Sequence, residues 1–229
     1  MLIPLKDENP TIRIPVVTVF IIALNSVIFF SQAFSRPGIE YYVLRMGAIP
    51  YEIIHGHLAA GFPVARINPF LALITSMFLH GSLFHLAGNM LYLWIFGNNV
   101  EDYLGHIRYV FFYLVSGLSA GLTHVIFNPG SAAPMIGASG AIAGVLGAYF
   151  ILFPRAQVKT FIFLFIFIRV VYVPAAFLLG FWLLIQILNV GMAGGVAWFA
   201  HIGGFLVGMV LVGVFRAGGS RRRKPRAAI

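Results

Sequence analysis

The chain has 229 residues, 60% of them hydrophobic and 9% charged, with a mean hydropathy of +0.95; soluble domains carry roughly 45–50% apolar residues, so soluble domains are excluded in favour of one membrane bundle. The absence of cysteine excludes disulfides, thiolate nucleophiles and Cys-ligated zinc. A net charge of +9 would suit nucleic acid, but six of the fifteen Lys and Arg lie in the last fourteen residues, from Arg216 through RRRK (221–224) to Arg226, where a basic tail reads as an anchor beside anionic lipid, and no nucleic-acid-reading module remains.

A helix needs about 20 apolar residues to cross a bilayer. The first such segment, 15–34, contains Asn25 and Ser26; it lacks a small-residue cleavage site and more spans follow it, so it reads as a span, not a cleaved leader. The loop 35–69 holds YYVLRMGAIPYEIIHGHLAAGF, too polar and too broken by Gly and Pro to span, and is predicted to be a partly helical outer cap. The second span covers 70–97, with His80, His85 and Asn89. The third, 107–127, carries Ser116, Ser119 and His124. The fourth is MIGASGAIAGVLGAYFILF, 135–153, with Ser139 just inside its start. TFIFLFIFI (160–168) is apolar but too short to span and is predicted to be an interfacial or re-entrant piece of the loop. The fifth span, 172–190, holds Gln186 and Asn189, and the sixth, 196–215, holds His201.

The expected fold is therefore an all-α membrane protein, a bundle of six transmembrane helices with an external first loop. It divides into an N-terminal segment 1–14, a six-span unit 15–215 and a basic tail 216–229. An even number of spans puts both ends on one side. Lys6, Arg13, Arg108, Arg155, Lys159, Arg169 and the six tail cations gather there, against Arg36, Arg45 and Arg66 opposite, so the positive-inside rule makes both termini cytoplasmic. No internal repeat is evident, which argues against an inverted-repeat transporter.

Polar side chains inside spans are costly and default to functional hypotheses. All six acidic residues (Asp7, Glu8, Glu40, Glu52, Glu101 and Asp102) fall in termini or loops, so serine chemistry here would be a Ser-His pair without a carboxylate. Topology places Ser139 about one turn inside the outer end of the fourth span and His201 five residues into the sixth. His85 and Asn89 lie in the outer half of the second or near its middle. These four share one depth, which water reaches from one side. Gly137, Gly140, Ala141, Gly144 and Ala148 on the fourth span, and Gly204 and Gly208 on the sixth, let helix backbones approach closely. Such contact would bring the His201 imidazole to the Ser139 hydroxyl. His85 and Asn89, spaced i, i+4, share a helix face and with the Ser139 backbone N–H could form an oxyanion hole. His124, Gln186, Asn189 and Asn25 are assigned to interhelical hydrogen bonding, and His80 to supporting the second helix or its loop.

At these residues the sequence resembles the rhomboid family of intramembrane serine proteases. HGSLFHLAGNMLYLWIFG (80–97) is similar to the family's second-span signature, with its His and Asn at His85 and Asn89. IGASGAIAG (136–144) matches the GxSG motif through Gly137, Ser139 and Gly140, and AHIGGFLVG (200–208) matches the sixth-span motif through His201, Gly204 and Gly208. EDYLG (101–105) resembles the acidic turn after the second span, where Glu101 would be structural. The resemblance implies a bacterial-type, six-span protease with Ser139 as nucleophile and His201 as general base and acid. His85, Asn89 and backbone N–H groups would stabilise the oxyanion. It implies cleavage of transmembrane-segment substrates near their outer ends, no metal and no cofactor. The membrane would be a bacterial inner membrane, with access beside the fifth span under the loop GMAGG (191–195). Two positions depart from the family pattern. The Trp-Arg pair many members carry before the second span corresponds to Leu71 and Ala72, and the aromatic residue some members place four positions after the nucleophile is Ala143. The second departure implies that another group, on span five or six, orients His201.

Competing readings are a non-enzymatic rhomboid-like protein that binds membrane clients, a haem or metal protein using His80, His85, His124 and His201, and a transporter or channel. The intact Ser139, His201, His85 and Asn89 argue against the first, and the i, i+5 spacing of His80 and His85 against the second. The absence of intramembrane acids and repeats argues against the third.

Overall fold

The computed structural model describes residues 2–57, 61, 63–164, 167–192 and 195–217. The basic tail from 218 onward and the middle of GMAGG lie outside them.

The chain is a helical membrane bundle. Among the described residues, three helices are long and apolar enough to cross a membrane: α1 (Val16–Ala33), α7 (His106–Phe127) and α10 (Trp198–Ala217). They follow the predicted first, third and sixth spans. Two shorter apolar helices, α8 (Ser139–Leu152) and α9 (Ala175–Leu188), stand where the fourth and fifth spans were expected. The predicted outer cap is partly helical, as α2 (Gly38–Met46) and α3 (Pro50–His55).

The second span is not one straight helix. It comprises α4 (Pro69–Thr75), a 3-10 turn at Ser76–Phe78, α5 (Leu83–Tyr92), a π turn at Leu93–Gly97 and α6 (Asn98–Leu104), with a 78° bend between Phe78 and Leu83. Two caps explain the break. Asn68 accepts from the N–H groups of Phe70 (2.9 Å) and Leu71 (3.3 Å) to start α4. Ser82 accepts from His85 N–H (3.1 Å) and starts a new helix after the extended Leu79.

The described residues of the segment 160–168 are extended strand, not helix. Its alternating Phe and Ile suit the two-residue period of a strand. It supplies β2 (Gln157–Leu164) and the start of β3 (Phe167–Pro174), which pair antiparallel, and β1 (Leu2–Asp7) adds on the other side of β2. This sheet joins the end of α8 to the start of α9 and buries Val158 and Thr160.

Two carboxylates tie the N-terminal region to the bundle. Glu101, 1% exposed, accepts from the N–H groups of Val17 (2.9 Å) and Thr18 (2.7 Å) at the positive end of α1, and from His106 Nδ1 (2.6 Å). Asp7 accepts from Tyr149 Oη (2.7 Å) and Asn99 Nδ2 (2.8 Å) on the same oxygen. Burial raises the Asp7 carboxyl above the usual carboxylate range, outweighing the hydrogen bond from Tyr149. A raised folded-state pKa means that Asp7 contributes stability at acid pH, which is lost as pH rises through the folded value. The thermal stability of the wild type in detergent is therefore expected to fall, in part through Asp7, as pH rises from about 4, the value of an unfolded-chain carboxyl, through the raised folded value. Asp7→Asn, which keeps an acceptor without the charge, is expected to flatten that slope; an unchanged slope would refute it.

Candidate active site

Ser139 begins α8. The predicted fourth span begins at 135, one turn before the helix does. Met135 is instead held in an antiparallel bridge to Ala48 by two backbone hydrogen bonds (2.7 and 3.0 Å). Gly137 donates its N–H to Ser76 O at 2.8 Å with φ +119°, a conformation open to glycine and strained for other residues. Ser139 therefore stands at the helix N-terminus, where the first N–H groups have no intrahelical acceptor and the helix dipole is positive. From Gly140 to Tyr149 every residue of α8 is buried. The helix is surrounded by protein, so 14 residues suffice.

His201 lies in the first turn of α10, and glycines set its distance from Ser139. A methyl group built on Gly204 would overlap the Gly140 carbonyl oxygen, and one on Gly208 would overlap that of Gly144. The backbones of α8 and α10 are thus in direct contact. His201 Nε2 and Ser139 Oγ lie 2.8 Å apart. On the other side of the ring, Nδ1 is 2.7 Å from Gln186 Oε1 on α9. The Trp182 ring lies 5.8 Å from the imidazole and tilted, and that of Trp198 lies 6.3 Å away and edge-on. These contacts come from span five and the start of span six, and Ala143 contributes no aromatic face.

His85 and Asn89 both line a cavity of about 610 Å³ together with Ser139 and His201. A methyl group built on Gly137 would lie 2.8 Å from His85 Nε2 and 3.6 Å from Ser139 Oγ, so these groups face each other across a bare Cα. Asn89 Nδ2 is 3.0 Å from His80 Nε2. His80 is fully buried in the bend and holds the Asn89 amide from behind, while its ring meets that of His85 edge-on at 5.0 Å. The cap above is pinned by a buried ion pair, Arg66 Nε to Glu52 Oε1 at 2.8 Å, and by Arg66 Nη2 donating to Gly47 O at 2.8 Å. The Leu71 and Ala72 positions play no such part.

Sequence reasoning left Gln186 out of this cluster. The signal was available: with the fifth span predicted to run from inside to outside, Gln186 near its end falls at the depth predicted for His201.

The Rhomboid domain family matches residues 68–218, and the chain belongs to that family, which is of the intramembrane-protease type. It is 35% identical over 151 residues to "RHOMBOID-like protein 6, mitochondrial" of Arabidopsis thaliana, a match covering 65% of this chain and 44% of that protein. It is 38% identical over 98 residues to "Rhomboid protein 1, mitochondrial" of Saccharomyces cerevisiae, covering 41% and 28%. It is 42% identical over 76 residues to "Rhomboid protease GluP" of Bacillus subtilis, covering 33% and 14%. The chain thus spans less than half the length of each of these three relatives. It is a multi-pass membrane protein.

Proposed function

We propose that this chain is an intramembrane serine endopeptidase that cuts transmembrane segments of membrane proteins near their outer ends. The observation that carries the reading is the 2.8 Å contact between Ser139 Oγ and His201 Nε2 beside a cavity. The catalytic unit is 15–215. Ser139 Oγ attacks the scissile carbonyl while His201 Nε2 takes its proton. The oxyanion forms against the Ser139 N–H at the start of α8, with His85 and Asn89 as further donors. His201 returns the proton to the leaving amine, leaving an acyl group on Ser139. A water, deprotonated by the same imidazole, then hydrolyses this ester. The chain needs no cofactor for these steps.

In this reading the protein sits in a bacterial inner membrane with both termini cytoplasmic, supported by the gathering of twelve cations in the segments assigned to that side. The test is purified protein in liposomes with a single-span substrate and, separately, a fluorophosphonate probe. Cleavage near the outer end of the substrate, insensitive to chelator, and labelling at Ser139 are expected. Binding of substrate without cleavage or labelling would overturn the reading in favour of a client-binding member of the family.

A further inference from the structure

We infer that Gln186 is a positioning residue that fixes the tautomer of His201; this rests on the serine-protease reading above. The amide's own orientation is set first. Gln186 Nε2 donates to Trp182 O, one turn back on α9, at 3.2 Å. That leaves Oε1 facing His201 Nδ1 at 2.7 Å. An amide oxygen only accepts, so Nδ1 carries the hydrogen, and in a neutral imidazole Nε2 must then be the acceptor. Nε2 is the atom 2.8 Å from Ser139 Oγ. The hydrogen bonds run in one direction through three helices, from the Ser139 hydroxyl on α8 through His201 on α10 to Gln186 on α9. The opposite tautomer would place an N–H against the serine hydroxyl and leave no acceptor for its proton.

The choice of an amide has a physical reason. Gln186 is 5% exposed in an apolar bundle, where an ionised carboxylate in its place would be costly. A neutral amide oxygen selects the same tautomer without that cost. When His201 takes the proton, the Nδ1–H bond to Oε1 becomes charge-assisted and strengthens at the moment the imidazolium forms.

The test compares wild type, Gln186→Met and Gln186→Glu in liposomes. Met keeps length and apolar packing and removes the acceptor, while Glu restores one. Gln186→Met is expected to lower kcat by about 10- to 1,000-fold with KM unchanged, short of the about 10⁴-fold lost when the orienting acid of a soluble triad is altered. Gln186→Glu is expected to recover at least about tenfold of that loss. Nitrogen NMR of ¹⁵N-histidine protein, with His201→Ala to assign the signal, should show Nδ1-protonated His201 in the wild type and loss of that single tautomer in Gln186→Met. A Gln186→Met enzyme with wild-type kcat and an unchanged His201 signal would overturn the inference, as would a rise in KM alone. If the wild type cuts nothing, the protease reading fails, but the histidine signal still decides what Gln186 does.

Discussion

Replacing Ser139 by alanine is expected to lower kcat by about 10⁶-fold, the scale lost when a soluble serine hydrolase loses its nucleophile. His201→Ala should lose a similar amount, because Ser139 Oγ has no other base within the contacts described and its proton must leave as the bond to carbon forms. The two losses should not add. Once the nucleophile is gone the base has nothing to act on, so the double variant should be no slower than either single one. Ser139→Ala should barely change stability, since it removes one hydrogen bond worth about 1 kcal/mol, whereas His201→Ala removes the bonds to both Ser139 and Gln186 and should melt earlier. Single-turnover cleavage in liposomes, with thermal melting alongside, measures all of this. A Ser139→Ala protein retaining a tenth of the wild-type rate would rule out Ser139 as nucleophile, and additive losses would rule out the pair acting as a unit.

Gly204→Ala is expected to cripple the proposed protease activity without touching a reacting group. The added methyl would run into the Gly140 carbonyl oxygen, a backbone atom one residue from Ser139, with the Ala120 methyl 3.3 Å away on another side. Neither neighbour is a flexible chain end, so α8 and α10 must separate. Overpacking of this kind typically costs about 1–3 kcal/mol. The geometric effect is larger, because a displacement of about 1 Å in a reacting pair costs on the order of 100-fold in rate. The matched control lies on the same helix: a methyl on Gly213 meets nothing within 4 Å. Gly213→Ala should therefore melt and cleave like wild type, while Gly204→Ala melts earlier and cleaves about 100-fold more slowly. Equal behaviour of the two variants would show that the close α8–α10 approach does not set the geometry of the site.

Much of this molecule is legible in its sequence because a bilayer imposes simple rules. Apolar length places α1, α7 and α10 within two or three residues, and small residues mark the α8–α10 contact. What sequence reasoning misses depends on long-range pairing. The start of α8 is decided by Ala48, 87 positions before Met135, and by Ser76 holding Gly137, which no local pattern announces. The sheet escapes notice because β2 reads as a short apolar run until Leu2–Asp7 is known to lie beside it. Gln186 looks like an ordinary interhelical glutamine; only the packing of α9 against α10 gives its oxygen a particular nitrogen to meet.

The uncharged relay has an electrical consequence. Moving one elementary charge across a membrane held at about 100 mV involves about 2.3 kcal/mol. The resting chain of Ser139, neutral His201 and Gln186 carries no net charge, and α8 and α9 contain no Asp, Glu, Lys or Arg. The transmembrane voltage therefore has no side-chain charge to act on in these parts at rest. Shifts of α9 against α8 should proceed equally in energised and de-energised membranes, and under the protease reading proposed above an imidazolium would exist in the field only while the peptide bond is being cleaved.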